Sequence, residues 1–230
     1  MIVRMALALS LALALVARGG DGSEAAKARV YFLRGGKVWP VGRAASESDV
    51  VAKLEDGPSA EETENLGAMT AIRHPNPGIS KLSISDGVAT YDPAAPLNER
   101  AKAQVVYTLT QFPSIKTVVI AGKRYTRADF EDQTQLILVE SPLAFEEVTT
   151  PLRVTGTANT FEATFEYELK DSQGKVVDSN FVTATSGTGT RGTFDFTTKA
   201  ADDVASLVVF ERSANDGSRI NEVEIPLQTR

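Results

Sequence analysis

The chain has 230 residues, of which 42% are hydrophobic, and it carries a net charge of −6. This length can hold two domains of ordinary size, each able to bury its own core. The absence of cysteine excludes disulfide bonds, thiolate metal sites and cysteine nucleophiles.

The charge is distributed unevenly along the chain. Residues 27–129 hold 14 basic and 11 acidic residues, whereas residues 130–230 hold 8 basic and 17 acidic residues. An acidic second half argues against nucleic acid as a partner, and the first half has no basic tract. We therefore expect no nucleic-acid binding.

Residues 1–20 have the pattern of an export signal. Arg4 is a short basic region, and Met5 to Val16 is a stretch of twelve residues dominated by apolar side chains. A membrane-spanning helix needs about 20 apolar residues, so we expect membrane contact only through this signal segment. The protein is expected to be exported and to work in the cell envelope or as a secreted protein.

The end of the signal segment, Leu15 to Gly20, resembles a bacterial lipobox, in which a cysteine follows Leu-x-Ala and receives the lipid. Arg18 stands at the position of that cysteine, so no thioether bond to a lipid can form. Three outcomes stay open: secretion after cleavage at Ala17, tethering by an uncleaved signal, and an ordinary signal whose likeness to a lipobox is accidental. Residues 21–27 are predicted to be a polar, disordered tether.

Folded structure is expected from residue 28. Gly35-Gly36 predicts a two-residue hairpin turn that pairs Val30 with Val41 and Phe32 with Trp39. These four side chains share one face, which predicts a sheet covered on that side. Trp39 is interpreted as a core residue rather than as a platform for a ligand.

Two short helices are predicted next. Ser46 and Asp49 have capping-box spacing before an apolar stripe that ends at Gly57, and Pro58 suits the first position of the second helix. The pair Glu61-Glu62 falls in the first turn of that helix, where negative charge is favourable. Adjacent helical residues point about 100° apart, so this pair is not interpreted as an acid/base couple.

A second hairpin and a longer helix complete the first half. Asp86-Gly87 predicts a turn that pairs Ile84 with Ala89 and Leu82 with Tyr91. The helix follows, with Ala101, Val105, Leu109 and Phe112 on one stripe, and it ends at Pro113, before a strand predicted over Ile115 to Ile120.

This order of elements over residues 28–130 predicts an α+β domain with two helices on one mainly antiparallel sheet. The segments VYFLRGGKVWPV, LEDGPSAEE, TAI, SDGVATYDPAA and AQVVYTLTQFPSIKTV resemble the GerMN domain, named for a spore-germination and sporulation lipoprotein. The resemblance implies a fold similar to the ring-building motif of secretion-system and sporulation-channel proteins. It therefore implies assembly in an envelope compartment, with self-association to be tested, rather than catalysis.

Residues 131–230 change to a strand pattern without a convincing helix. About seven short strands separated by turn signals predict an all-β immunoglobulin-like sandwich, without the Cys and Trp signature of antibody domains. The segments PLRVTGTANTFEATFEYELKD, NFVTATSGTGTRGTF and LVVFERSANDGSRINEVEIPL resemble the immunoglobulin-like domain associated with bacterial spore-germination proteins, usually found after GerMN. The order of the two modules supports both resemblances.

One charged cluster is a candidate for partner contact. Asp216 lies in a predicted hairpin turn and is flanked by Glu211, Arg212 and Arg219. The favoured alternative is that Asp216-Gly217 only makes the turn and that the two arginines are paired on the sheet surface.

Other motifs give no catalytic, cofactor or metal site. The run Gly187-x-Gly189-x-x-Gly192 matches a dinucleotide fingerprint by letter, but a strand rather than a helix is predicted after it. Glu146-Glu147 and Asp202-Asp203 are predicted in loops and lack calcium-ligand spacing. His74, the only histidine, is interpreted as a solvated loop residue.

These patterns predict a non-enzymatic scaffold or assembly protein of the cell envelope that needs no cofactor. Its expected partners are envelope proteins or the cell wall, with self-association as a further expectation. The alternative is a protein that binds cell-wall glycan or peptide through the loops of the sandwich. A hydrolase would need a carboxylate pair or a serine triad, and a chain with one histidine and no G-x-S-x-G elbow leaves little room for it. Loss of activity on substitution of His74 would revive this third class.

Overall fold

The computed structural model describes residues 27–72, 80–199, 201 and 203–229, and β-structure predominates. We call residues 27–130 the N-terminal half and residues 131–229 the C-terminal half. The strands and helices of the N-terminal half are β1 (Lys27–Arg34), β2 (Lys37–Ala44), α1 (Val50–Glu55), α2 (Ala60–Leu66), β3 (Lys81–Ser85), β4 (Val88–Asp92), α3 (Glu99–Leu109), β5 (Thr117–Ile120) and β6 (Lys123–Tyr125).

A 3-10 segment (Arg127–Gln133) leads from the N-terminal half into the C-terminal half. The strands that follow it are β7 (Ile137–Ser141), β8 (Glu146–Val148), β9 (Arg153–Ala158), β10 (Thr164–Asp171), β11 (Val176–Thr183), β12 (Gly192–Thr197), β13 (Val204–Arg212) and β14 (Arg219–Thr229), with a short 3-10 turn at Phe161–Ala163 before β10.

The first hairpin has the predicted register. β1 and β2 pair antiparallel, with Val30 opposite Val41 and Phe32 opposite Trp39. All four side chains are buried, and so is Tyr31, which points to the opposite face of the hairpin. The hairpin is therefore covered on both faces, not on one, because α1 and α3 also pack against β1.

Polar side chains of α3 cover the outer edge of β1. Thr108 Oγ1 accepts a hydrogen bond from the Tyr31 N–H at 3.0 Å, and Gln104 Nε2 donates to the Tyr31 carbonyl at 3.0 Å. Gln111 likewise bonds the Arg29 backbone, accepting from its N–H at 2.6 Å and donating to its carbonyl. Because unpaired backbone groups at a buried strand edge are costly, these side chains take the place of a further strand.

This arrangement corrects the prediction of a single mainly antiparallel sheet. β1 and β2 form a two-stranded sheet, while β3, β4, β5 and β6 form a separate four-stranded sheet in that order. The two sheets stay separate because α3 occupies the edge of β1. Within the second sheet β4 and β5 run parallel, since α3 provides the long crossover that a parallel pair requires.

The second hairpin and the stripe of α3 agree with the sequence prediction. β3 and β4 pair Leu82 with Tyr91 and Ile84 with Ala89, across a turn in which Asp86 and Gly87 have left-handed φ angles of 50° and 78°. On α3, Ala101, Val105 and Leu109 are fully buried, and Phe112 packs partly buried against the same core.

The two short helices are present, with a correction at the start of each. Ser46 and Asp49 do not form the predicted capping box: α1 begins at Val50 with Asp49 as its N-cap, and the Ser46 hydroxyl donates to Asp49 Oδ1 at 2.6 Å instead of accepting from the Asp49 N–H. However, α2 starts at Ala60 with Ser59 as its N-cap, rather than with Pro58 as its first residue. The reason is that Ser59 forms a capping box with Glu62, which satisfies free N–H groups at the helix start.

The C-terminal half is a sandwich of two sheets. One sheet has five strands in the order β11-β10-β13-β14-β8, and the other has three in the order β12-β9-β7. Aromatic rings join the two layers, with centroids 4.9 Å apart for Phe165 and Phe194 and 4.7 Å apart for Tyr167 and Phe196. The predicted immunoglobulin-like layering is therefore present in the structure.

One strand of the sandwich is not predicted by the sequence pattern. Glu146 and Glu147, which were predicted to lie in a loop, lie in β8, and β8 pairs parallel with the end of β14. A strand of three residues has too short a pattern to be read from sequence. The backbone bond from the Phe145 N–H to the Pro226 carbonyl, 2.7 Å long, brings this segment to the sheet edge.

The two halves share one continuous hydrophobic core. The 3-10 segment spans the predicted boundary between residues 130 and 131, and Val38 of β2 forms an isolated parallel bridge with Thr134. In the part of the chain that the structure describes, no helix combines the length and the apolar character needed to cross a membrane.

Several predicted features lie outside the described residues. They are the signal segment, residues 21–26 of the tether, His74 and Asp202. Lys27, predicted to end the tether, instead begins β1, because it pairs with Ala44 at the end of β2.

Candidate functional site

The arginines of the predicted partner-contact cluster lie on the outer face of the five-stranded sheet. Arg212 bonds both carboxylate oxygens of Glu166, at 3.1 and 3.2 Å, and Arg219 bonds Glu168. The two guanidinium groups lie 5.0 and 4.1 Å from the centroid of the Phe210 ring, which is fully buried. The arginines are thus paired on the sheet surface, where they also cover an aromatic ring.

The two acidic members of the cluster have separate roles. Asp216 Oδ1 accepts hydrogen bonds from the Ser218 N–H at 3.1 Å and the Ser218 hydroxyl at 2.7 Å, and these bonds lower the pKa of Asp216. Glu211 is buried and accepts from the Phe161 N–H at 2.8 Å and from Asn221 at 2.6 Å. The structure brings Arg212 and Arg219 together but does not join all four residues in one site.

The glycines of the fingerprint-like run serve loop packing. A Cβ atom on Gly187 would lie 2.5 Å from backbone atoms of Ala163 and Thr160, and one on Gly192 would lie 2.3 Å from the Ser186 nitrogen. The run is followed by β12, as predicted, and not by a helix. Among the described residues, no group of three or more His, Cys, Asp and Glu side chains is placed to hold a metal ion.

A cleft of about 660 Å³ opens between the tip of the β1-β2 hairpin and β14. Its walls come from both halves of the chain, since the end of the 3-10 segment and the residues between it and β7 line the cleft beside the hairpin tip and β14. The residues that line it are Arg34, Gly35, Lys37, Trp39, Glu131, Asp132, Thr134, Gln135, Leu136, Asn159, Asn221, Glu222, Val223 and Glu224. A cleft of this size at the junction of two units is a common place for ligand binding.

Arg34 lies across this cleft. Its Nη1 donates to the Glu224 carbonyl at 2.8 Å, and its guanidinium lies 4.6 Å from the centroid of the Trp39 ring. Burial lowers the pKa of Arg34, and the Glu224 carboxylate opposes that shift. Lys37 also crosses between the halves, donating to the Asp132 carbonyl. Both cations are therefore held by main-chain carbonyls.

Trp39 is a buried core residue, as predicted, but it also lines the cleft. Only 3% of its surface is exposed, and its indole N–H has no acceptor among the described residues. A buried N–H without an acceptor is destabilising. Trp39 is therefore the one lining residue of the described cleft with a buried side-chain donor left to be satisfied.

Beside this cleft the edge of β14 has no strand partner among the described residues, because β8 covers that edge only from Leu227 onward. The Arg34 side chain lies against the edge at the Glu224 carbonyl instead. The carbonyls of Glu224 and Pro226 point to the same edge, because they accept from the Arg34 side chain and the Phe145 N–H. In a regular antiparallel ladder the N–H and C=O of one residue point the same way, so the N–H of Glu224 also points to this edge. Glu222 lies in a register shift of the β13-β14 ladder, where this rule does not apply.

A buried ionic network away from this cleft joins the two halves. Arg127 donates to Glu140 Oε1 at 2.8 Å, and the Tyr31 hydroxyl donates to the same oxygen. Burial would raise the pKa of Glu140, but Arg127 and Tyr31 hold that pKa below its usual range. Burial and the Glu140 carboxylate raise the pKa of Tyr31. The carboxylate is therefore ionised and the phenol neutral at neutral pH.

Sequence reasoning missed Arg34, Arg127 and Glu140. Arg34 directly precedes a Gly-Gly turn, and its acceptor on Glu224 is 190 positions away. No local sequence pattern indicates that two such residues are in contact, because each of them, taken alone, is of a type that is common on the protein surface.

Residues 136–218 match the family profile described as the immunoglobulin-like domain of bacterial spore germination. The matched range begins at the residue before β7 and extends through β13. Searches of curated proteins and of solved structures gave no match. The sandwich of the C-terminal half is therefore similar in sequence to this immunoglobulin-like domain, which links the chain to spore germination proteins.

Proposed function

We propose that this chain is an exported, cell-envelope-associated protein that acts as a scaffold or assembly module and catalyses no reaction. The observation that carries the proposal is the match of residues 136–218 to the immunoglobulin-like domain of bacterial spore germination. The resemblance of residues 28–130 to the GerMN domain, and through it to ring-building motifs, supports assembly and self-association. Sandwich domains of this kind hold partners through surfaces and loops.

The junction between the halves supports a scaffold role. A scaffold must hold its binding surfaces at a constant separation and angle. Here Tyr31 and Arg127 bond Glu140 across the junction, and Lys37 bonds the Asp132 carbonyl. Interfaces of this buried, charge-paired kind restrict the relative motion of two units.

Localisation and assembly are tested together in living bacteria. The full chain with a C-terminal tag is expressed, the cells are fractionated, and neighbours are captured by crosslinking before lysis. We expect the chain outside the cytosol and crosslinked to envelope proteins or to itself. A variant without residues 1–20 is the matched control, and it should stay in the cytosol. An even distribution of the full chain among cytosolic enzymes would contradict the proposal.

A separate experiment tests the proposal that the chain catalyses no reaction. The purified chain is assayed for hydrolysis of peptidoglycan and of model esters, beside a His74→Ala variant. We expect no turnover by either protein above the buffer control. Turnover that disappears in His74→Ala would instead support a hydrolase.

A second candidate function is binding of cell-wall glycan or peptide by the sandwich loops. The observation that favours it is Phe161, a residue that is 59% exposed in the connection between β9 and β10. An exposed ring on a loop is typical of binding surfaces.

This second candidate is tested by retention of the full chain on purified peptidoglycan. If the loops bind wall material, Phe161→Ala should reduce retention. Phe181→Ala should not, because Phe181 is similarly exposed, at 68%, but lies on β11. Equal retention of both variants and the native chain would argue against this site.

A further inference from the structure

We propose that a cavity between the first hairpin and the three-stranded sheet binds an acidic oligosaccharide, that is, a sugar chain that carries carboxylate groups. The cavity has a volume of about 520 Å³, and its lining includes Arg29 of β1 and residues of β9 and β12. We call it the Arg29 cavity. This inference goes beyond the scaffold role because it assigns a ligand and its site. It does not depend on export, on self-association or on Phe161, which does not line this cavity.

The first support is the guanidinium of Arg29, which has no hydrogen-bond or ion-pair partner among the described residues. The backbone of Arg29 bonds the side chain of Gln111, but the side-chain Nε is buried without an acceptor. The two Nη groups also lack an acceptor, and they are not buried. Because a partly buried charge without a partner is costly, an anion that reaches the Nη groups from the cavity would be bound favourably.

The second support is the charge balance of the lining residues. The cavity is lined by two carboxylates, and each is paired with an arginine other than Arg29. Glu140 is paired with Arg127 at 2.8 Å, and Asp195 is paired with Arg153 at 2.6 Å. The charge of Arg29 is therefore left uncompensated, and the cavity favours an anion. A carboxylate suits it, because a guanidinium can bind both carboxylate oxygens through parallel hydrogen bonds.

The third support is the row of threonine hydroxyls on the cavity wall. Thr155 and Thr157 alternate along β9 with the buried residues Val154 and Ala158, so their side chains lie on the outer face of the sheet. Thr193 of β12 lies opposite Thr157 in the ladder. A hydroxyl group both donates and accepts hydrogen bonds, so this wall is complementary to the hydroxyl groups of a sugar.

Several of these hydroxyls have bonding capacity left for a ligand. Thr155 and Thr183, which both line the cavity, form no side-chain hydrogen bond with another described residue. Thr157 Oγ1 accepts from Arg191 at 3.2 Å, which leaves its own hydrogen free to donate. The cavity thus combines free hydroxyl groups with one free cation.

The position of β9 favours a sugar over an extended polypeptide as the ligand. β9 is the central strand of the three-stranded sheet, between β12 and β7. Its backbone groups bond those two strands, so a further strand cannot join the sheet at this face. Recognition must therefore come from side chains, here from hydroxyl groups and a guanidinium.

A neighbouring cavity provides room for more than one sugar unit. It has a volume of about 460 Å³, and Thr157 lines both cavities. Arg127 and Arg191 line the second cavity, but they are already paired with carboxylates. The second cavity therefore adds space without adding an uncompensated charge, which is why we propose an oligosaccharide rather than a single acidic sugar.

The test measures binding of defined sugars to the native full chain by calorimetry. The probes are oligosaccharides of galacturonate and of glucuronate, and the control ligands are the same oligosaccharides with their carboxylates methyl-esterified. We expect the acidic forms to bind and the esters to bind about tenfold more weakly or not at all, because an ester cannot form a charge-assisted pair with Arg29. Poly(glycerol phosphate), the phosphate probe, is expected to bind more weakly than the acidic sugars.

Arg29→Gln tests the cation. The substitution should leave the fold intact, because the guanidinium forms no hydrogen bond in the folded chain, and it should weaken binding of the acidic sugars by about tenfold. Arg124→Gln is the matched control, since it changes the net charge equally at an exposed position of β6 and should bind as the native chain does. Thr155→Val keeps the side-chain shape without the hydroxyl and should weaken binding by about threefold.

Nuclear magnetic resonance on the native chain gives a readout that depends on no variant. Addition of the acidic oligosaccharide should shift the amide signals of Thr155, Thr157 and Thr193.

Five results would each overturn the proposal. They are no binding of either acidic oligosaccharide, equal affinity for the acid and its ester, equal affinity of Arg29→Gln and the native chain, amide shifts confined to other parts of the chain, and tighter binding of poly(glycerol phosphate) than of the acidic sugars. None of these results would change the outcome of the export and crosslinking experiments.

Discussion

Arg127 and Glu140 form an ion pair 2.8 Å long at the junction of the two halves, with only 25% and 14% of their side chains exposed. The Arg127 guanidinium also lies 4.6 Å from the centroid of the Tyr107 ring of α3. One arginine thus joins the longest helix of the N-terminal half to a strand of the sandwich. A pair in this position is important mainly because removal of one partner leaves the other buried without compensation.

Glu140→Ala should therefore be strongly destabilising. We expect a loss of about 3 kcal/mol of unfolding free energy, because Arg127 loses its counter-ion in a mostly buried site. Urea denaturation followed by circular dichroism measures the change. Asp195→Ala is the matched control, since Asp195 is also paired with an arginine but is exposed, and it should unfold almost as the native chain does. Equal losses in the two variants would contradict this account.

The same carboxylate should make the stability of the chain depend on pH. The pKa of Glu140 is lower in the folded chain than the usual value of about 4.3, despite its burial, because Arg127 and Tyr31 favour the charged form. Ionised Glu140 therefore stabilises the fold above that value. This stabilisation is lost as the pH falls from about 5 through the folded pKa.

Urea denaturation at a series of pH values tests this dependence. Between about pH 6 and pH 3, the native chain should lose more unfolding free energy than Glu140→Gln. If the unfolding free energies of the two proteins change in parallel with pH, Glu140 is not the cause of the pH dependence.

Thr108→Val should destabilise the N-terminal half. The hydroxyl of Thr108 accepts the Tyr31 N–H at 3.0 Å in a fully buried position, and valine has the same shape without an acceptor. We expect a cost of about 1 to 3 kcal/mol, because a buried N–H is left unsatisfied. Thermal unfolding measures it. Thr63→Val, at an exposed helical position, is the control and should change stability little. An unchanged melting temperature for Thr108→Val would mean that another group satisfies the β1 edge.

Arg18→Cys should convert the end of the signal segment into a lipid acceptor. The expectation follows from the resemblance of Leu15 to Gly20 to a lipobox, in which only the thiol is missing. Mass spectrometry of protein from a bacterial host should find a diacylglyceryl adduct on the variant and none on the native chain. A lipid adduct on the native chain, or none on the variant, would contradict this reading of residues 15–20.

The amino-acid sequence by itself determined the local pairings. Gly35-Gly36 and Asp86-Gly87 are two-residue turns, and a two-residue turn sets the register of the strands that flank it. The registers of β1 with β2 and of β3 with β4 were therefore predictable residue by residue. The strands of the sandwich were predictable as well, except β8, which is only three residues long.

Only the tertiary structure decided which strand edges are covered and which polar groups bond to each other. The side chains of Gln104 and Thr108 on α3, and of Gln111 just after it, bond the edge of β1, so no further strand joins the first sheet there. In the sequence these polar residues interrupt the apolar pattern of the helix, but nothing in the pattern identifies what they bond to. The contacts from Arg34 to Glu224 and from Tyr31 to Glu140 join residues 190 and 109 positions apart. Periodicity and turn chemistry act over a few residues, whereas such contacts exist only after the two halves have packed together.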